Sequence, residues 1–214
     1  HLSIRRQRQM CIRDRCNYVF DNLEIDKELE FNDEKASFSG PWKRVSMYEL
    51  VSKKFKVDIK HDSDIKKVKR ELKKNLDIKP EAKTVGLLVY ELFENYIEDD
   101  ITSPTFVTDY PVEVSPFARE NKKKPGVTER FELFAFGSEL ANGFSELIDP
   151  RDQEERLKIQ ALKKTEGDEE AHVQDEDYIE ALEYGLPPTG GLGFGVDRFV
   201  MMITNNESNR EVFP

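Results

Sequence analysis

The sequence predicts an α+β fold, an antiparallel sheet flanked by helices, and three observations carry that expectation. A hairpin pattern runs from Glu132 to Pro150. Glycines alternate at Gly191, Gly193 and Gly195 before the helical run VDRFVMMI, and amphipathic helical patterns rich in lysine and leucine lie between about residues 60 and 100. Strands repeat every two residues and helices every 3.6, so these segments separate by period.

The elements follow in chain order. The opening HLSIRRQRQMCIRDRC is arginine-rich, shows neither structural period, and lacks the apolar core and cleavage site of a secretory signal. MCIRDR reads as translated adapter sequence, so residues 1–17 are set apart as a non-native or disordered segment, with residues 1–16 expected to make no packed contacts, and residues 18–214 as the domain. Cys11 and Cys16 have no second ligand pair or nearby histidine to complete a zinc site. YVFDNLEI and LEF, between Tyr18 and Phe38, read as strands. Ser46 before MYELV, with Glu49 three residues on, is a capping box that starts a helix. Ile65 to Leu76 and Pro80 to Tyr96 form a helical insert, the second with Val85, Leu88, Val89, Leu92 and Tyr96 on one face. Phe106 and Val107 form a short strand among prolines that exclude a helix, and Lys122 to Gly126 is a basic loop. After the hairpin come a surface helix from Arg151 to Lys164, an acidic solvated loop around Gly167 to Glu170, and a helix from Asp177 to Tyr184 stopped by Gly185 and Pro187.

The chemistry concentrates in ELFAFGSELANGFSELIDP, where Glu132, Glu139 and Glu146 recur every seven residues. A helix would carry Gly137 and Gly143 at about 1 kcal/mol each, so a hairpin fits better. A turn near Phe136-Gly137-Ser138 sets Glu132 and Glu139 opposite each other or one residue off. Facing carboxylates repel, and a hard cation such as Mg²⁺ between them removes the repulsion. Period two then puts Asn142, Phe144 and Glu146 on one face, an amide, an aromatic wall and an acid suited to an amino acid with a cationic side chain. A solvated hairpin face is the alternative reading of the same residues.

Alternate glycines in a strand leave one face bare, open to a flat ligand against the backbone. Their spacing matches neither the dinucleotide fingerprint nor the Walker loop. Arg198 falls near the first turn of the following helix, where the dipole disfavours a cation unless an anion such as a phosphate chain is present. An ion pair to a neighbouring acid is the alternative there.

The chain has 214 residues and a formal charge of −10. Its apolar stretches are far shorter than the roughly 20 residues that cross a bilayer. The charge opposes nucleic-acid binding over the whole surface but leaves room for a local basic patch. Lys53 to Lys79 is one such stretch, and a solvated amphipathic insert is its plainer reading.

Together these motifs resemble those of class II aminoacyl-tRNA synthetases, and among them the lysyl-tRNA synthetases. The resemblance rests on SPTFVTDYPVEVSPFA, TERFELFAFGSELANGFSELIDP, DEDYIEALEYGLPPTGGLGFGVDRFVMMIT and GPWKRVSMYEL, covering about Gly40 to the end. It implies that Glu132 and Glu139 bind Mg²⁺ on ATP, and that Asn142, Phe144 and Glu146 line the lysine site, with Glu146 meeting the ammonium. It further implies that Gly191, Gly193 and Gly195 floor the adenosine pocket and that Arg198, the catalytic residue, holds the phosphate tail. The implied activity is ATP-dependent activation of lysine and its transfer to tRNA(Lys), in a cytoplasmic homodimer without membrane attachment. The family's anticodon-binding barrel, motif 1 and motif 2 are not recognisable, Ile148 stands where the family usually has asparagine, and Phe136 takes an expected turn asparagine. The chain therefore reads as the C-terminal part of a catalytic domain, its N-terminal strands missing. A protein-modifying lysine ligase and a noncatalytic regulatory module are the competing functions. On this reading the purified 214-residue chain forms no lysyl-tRNA in an aminoacylation assay, and adding the upstream half restores charging; charging by the chain alone would overturn it.

Overall fold

The computed structural model describes residues 2–76, 81–165 and 175–212. A small hairpin of Glu28–Phe31 (β1) and Glu34–Ser37 (β2) precedes a sheet of Lys43–Ser46 (β3), Thr105–Thr108 (β4), Arg130–Ala135 (β5), Ser138–Ser145 (β6) and Gly190–Phe194 (β7), which lie side by side in that order. The helices are Leu2–Asn22 (α1), Met47–Phe55 (α2), Ile65–Leu76 (α3), Val85–Tyr96 (α4), Pro150–Thr165 (α5), Glu176–Glu183 (α6), Val196–Thr204 (α7) and Asn209–Val212 (α8).

The fold is α+β, as expected, but the sheet is mixed. β4 to β7 pair antiparallel, whereas β3 runs parallel to β4 with Val45 beside Val107. Parallel neighbours need a crossover, and α2, α3 and α4 all lie in it. These helices cover one face of the sheet: Val51, Leu72, Leu88 and Phe93 pack with Val107 and Phe134. On the other face α1, β1, β2 and α7 bury Phe106, Phe131, Leu133 and Ala141. Strand alternation sends Glu132 and Phe134 to the first face and Phe131, Leu133 and Ala135 to the second.

Several local expectations need correction. Residues 12 to 20 pack: Ile12, Cys16 and Phe20, spaced four apart on α1, are at most 2% exposed, and Phe20 meets Phe38 and Phe199 edge-on. One narrow apolar stripe suffices; Arg13 and Arg15 lie off it, and Arg8, one turn before Ile12, is itself buried. Burial pushes the Cys16 thiol up to about 12. Tyr18 to Asn22 continue this helix rather than forming a strand, while LEF lies in β1 as expected. Ser46 starts α2 but its hydroxyl makes no capping bond. Thr84 caps α4 instead, its Oγ1 accepting from Leu87 N at 3.2 Å. The acidic segment at Gly167 to Glu170 lies outside the described residues.

The hairpin turn is where the sequence puts it. Phe136 and Gly137 both have positive φ, 50° and 67°, as a two-residue turn between right-twisted strands requires. Phenylalanine is a poor residue for that conformation. Its ring, 8% exposed, packs 5.6 Å from Phe31 and 6.2 Å from Phe38, and this burial offsets the backbone strain. Across the hairpin, Gly143 faces Phe131, and a Cβ on it would lie 2.7 Å from Phe131 Cζ and 3.1 Å from the Gly191 carbonyl. Gly143→Ala should therefore lower stability by about 1–3 kcal/mol through overpacking. A urea titration checks this, and an unchanged midpoint would mean that the Phe131 ring has room to move.

Candidate active site

Two cross-strand rows bring the separate motifs together. Val107, Glu132, Asn142 and Gly193 are neighbours across four strands, and Arg130, Phe144 and Gly191 are neighbours across three. All belong to the face that carries α2 to α4. Glu146 follows β6; its amide donates to the Thr189 carbonyl at 3.0 Å and its chain pairs with Ala118. The Gly191 amide donates to the Glu146 carboxylate, and a Cβ on Gly191 would collide with that group. Burial raises the Glu146 carboxyl, opposed by Arg8 and by the Gly191 bond.

Above Gly193 the backbone is open: a Cβ there would meet nothing nearer than the Asn142 carbonyl, at 3.9 Å. Gly195 departs from the expected bare strand face. It lies past the end of β7, as the residue before α7, and donates its amide to the Leu140 carbonyl at 2.9 Å. The Asn142 side-chain oxygen is buried and has no hydrogen-bond donor among the described residues. It is an acceptor shaped for an N–H that a ligand would bring.

The two metal candidates are not opposite each other. Glu132 pairs with Asn142 and Glu139 with Phe134, because a bulge at Leu140 puts one extra residue in β6. They still share a face and interact. The Glu139 carboxyl is raised by burial and then by Glu132, against the pull of Arg198 and Arg130. Glu98, just after α4, is pushed up to about 7 by burial, then by Glu132, Glu94, Asp99 and Glu139. Glu132 itself is 6% exposed; Tyr110 donates to its Oε2 at 2.7 Å and Arg130 Nη2 donates to its Oε1. Burial and the Glu132 charge push the Tyr110 phenol well above its ordinary value, which keeps it a donor. The Arg130 guanidinium lies 4.7 Å from the Tyr110 ring centre and donates to Val114 O and Ser115 Oγ at 2.9 and 3.0 Å.

A cation suits this surplus of carboxylates. Among the described residues no group of three or more His, Cys, Asp and Glu side chains forms a metal cage. Two carboxylates suit Mg²⁺, which takes its other ligands from phosphates and water. Each Glu132 oxygen already accepts an internal donor, so Glu139 is the freer ligand. Arg198, exposed, donates from Nη1 to the Glu139 carbonyl at 2.5 Å. Among the described residues it makes no salt bridge, so its remaining donors can meet an anion.

Tyr110, Arg130 and Glu98 were not among the sequence candidates. Arg130 stands two residues before Glu132 and so shares its face, a signal that period two supplies. Tyr110 precedes Glu132 by 22 residues in sequence, and nothing local announces the contact.

The chain matches the profile of the tRNA synthetases class II (D, K and N) over residues 7–214. It is 48% identical over 188 residues to a lysine–tRNA ligase of Prochlorococcus marinus strain MIT 9515, covering 87% of this chain and 37% of that relative. A lysine–tRNA ligase of Thermosipho africanus is 44% identical over 195 residues, 91% of this chain and 38% of the relative. The chain thus spans under two fifths of the length of these relatives.

Two expectations follow from the carboxylates. Glu139→Gln removes a repelled charge and should leave ligand-free stability unchanged or slightly higher, whereas Glu132→Gln weakens a buried pair and should cost about 2 kcal/mol or more; equal effects in urea titrations would contradict the different surroundings of the two acids. Because the fold holds the Glu98 proton more tightly than the unfolded chain, this group's contribution is full below about pH 4.5 and lost as pH rises through about 7. Glu98→Gln should flatten the melting temperature across that window, and an unaltered pH profile would remove Glu98 as its source.

Proposed function

The chain belongs to the class II tRNA synthetases of the D, K and N group, and we propose that it forms the part of a lysine–tRNA ligase that binds lysine and ATP. The observation that carries this reading is the meeting of the two rows. An amide, an aromatic ring and an acid stand directly beside a strand whose Gly193 leaves the backbone bare.

In this reading Glu146 meets the side-chain ammonium of lysine, the free Asn142 oxygen accepts one of its N–H groups, and Phe144 walls the aliphatic stem. Gly193 admits the flat adenosine, Gly191 leaves room for the Glu146 carboxylate rather than for a ligand, Gly195 sets the turn into α7, and Arg198 holds the phosphate tail. Glu132 and Glu139 would hold Mg²⁺, which when bound neutralises phosphate charge. A lysine carboxylate oxygen attacks the α-phosphorus of ATP, pyrophosphate leaves, and a hydroxyl of tRNA(Lys) then takes the lysyl group with release of AMP. The chain supplies no nucleophile; its residues orient the reactants and stabilise charge. Work as a cytoplasmic homodimer is part of the same proposal. Among the described residues no helix is long and apolar enough to cross a membrane.

The test uses a protein extended to the length of the relatives. Arg198→Ala should lower kcat/KM for ATP by about 30-fold, the equivalent of one charged hydrogen bond at about 2 kcal/mol. Glu139→Gln should abolish most Mg²⁺-dependent ATP binding, and Glu146→Gln should raise KM for lysine while leaving that for ATP unchanged. Lysine-dependent exchange between pyrophosphate and ATP reads all three. Unaltered ATP kinetics in the Arg198 variant, or equal shifts for lysine and ATP in the Glu146 variant, would reject these roles.

A further inference from the structure

The acid assigned to the lysine ammonium is held from behind by a helix outside the site. The chain leaves β6 at Ser145, runs through Glu146 and Leu147, and turns at Asp149 into α5. Residues 116–118 lie along that exit: Ala118 pairs with Glu146, and the Leu147 amide donates to the Phe117 carbonyl at 2.9 Å.

α5 returns to the same three residues. Gln153 Nε2 donates to Pro116 O at 3.2 Å and Arg156 Nη1 donates to Ala118 O at 2.8 Å, so with the Leu147 amide each carbonyl of the segment has its own donor. The spacing of Gln153 and Arg156 puts them on one face of α5, and both are buried. Asp152, one turn before Arg156, grips its guanidinium with two bonds, Nε to Oδ1 at 2.8 Å and Nη2 to Oδ2 at 3.0 Å. A planar fork held at two points has little freedom to swing, so its remaining nitrogen stays on Ala118. Burying a guanidinium is costly unless it is paired and hydrogen-bonded, and here both conditions are met by groups that fix the strand next to Glu146. From the other side the Phe117 ring lies edge-on to Tyr178 of α6, with centroids 5.9 Å apart. Burial raises the Tyr178 phenol, and the nearby charge of Glu146 raises it further, followed by that of Asp175.

We propose that Arg156, oriented by Asp152, is a positioning residue that fixes Glu146 at the depth matching the length of a lysine side chain. It acts through the backbone of residues 116–118, and the proposal rests on the role given to Glu146 above. A carboxylate on a loose strand end follows a shorter ammonium inward. On a clamped strand end it stays, and position becomes a choice of chain length.

The test uses the protein extended to the length of the relatives and compares lysine with ornithine, one methylene shorter, in exchange between pyrophosphate and ATP. Asp152→Asn weakens the grip on the guanidinium, and Arg156→Lys keeps the charge without the fork. Each should lower the ratio of kcat/KM for lysine to that for ornithine by about threefold to tenfold, mainly through KM for lysine, and leave KM for ATP unaltered. Glu154→Gln is the comparison: it removes the exposed pair of Glu154 with Lys158, 2.6 Å apart on the same helix, and should leave the ratio as it was. A variant that is merely less stable loses activity toward both amino acids equally, so an unaltered ratio in either clamp variant, or an equal fall in the Glu154 variant, overturns the proposal. Hydrogen exchange at the Leu147 amide gives a second readout and should quicken in both clamp variants; an unaltered rate also overturns it. Glu146→Gln is measured alongside. If it raises KM for lysine while the clamp variants keep the ratio, the positioning role alone fails; if it leaves lysine kinetics unaltered, the lysine site is elsewhere and both readings fail.

Discussion

The carboxylate of Glu132, held between the Tyr110 hydroxyl and the Arg130 guanidinium, is the contact on which the surrounding structure depends. A carboxylate this deeply buried persists only when paired and hydrogen-bonded. Both conditions reach well beyond β5. Tyr110 stands just after β4, so its bond ties β4 to the centre of the sheet. Arg130 also grips Val114 O and Ser115 Oγ, which fixes the start of the loop that returns to β5. With Glu132 satisfied from within, the electrostatic surplus falls on Glu139 and Glu98, whose carboxyls are both raised. One acid thus organises the backbone and another is left for a ligand, a division that equal spacing in the sequence conceals.

Much of the candidate site was legible because strand periodicity is local. Asn142, Phe144, Gly191 and Gly193 need only period two to fall on one face, and the sheet sets them side by side. The turn at Phe136 and Gly137 was equally legible. The register was not, since a bulge depends on how Leu140 packs against the second core cluster and no residue type signals it. The parallel pairing of β3 was hidden for a similar reason. KRVS has no apolar alternation, and its partner β4 lies beyond three helices. In α1 the arginines dominate composition, so the stripe of Ile12, Cys16 and Phe20 passes unnoticed until its neighbours are known.

Charge is segregated across a short distance. The loop from Ala118 to Thr128 separates a face rich in carboxylates, around Glu132, Glu139 and Glu146, from a groove edged with lysines. Its bridges to Glu146 and to the Glu129 end of β5 hold the two surfaces at a fixed spacing. A net charge averaged over the whole chain describes neither surface.

The glycines of β7 have a consequence beyond the ligand floor. β7 pairs with β6 and, among the described residues, with no other strand, which makes it an edge strand of the sheet. Edge strands are usually guarded by lysine, proline or bulky side chains that keep other chains away. A strand reading GGLGF has no lysine and no proline, and its Leu192 is 47% exposed. The property that lets a flat ring lie against the backbone also lets another strand do so. Left bare, this edge invites self-association, and a neighbouring strand docked along it would act as a cap on solubility as much as a wall of the site.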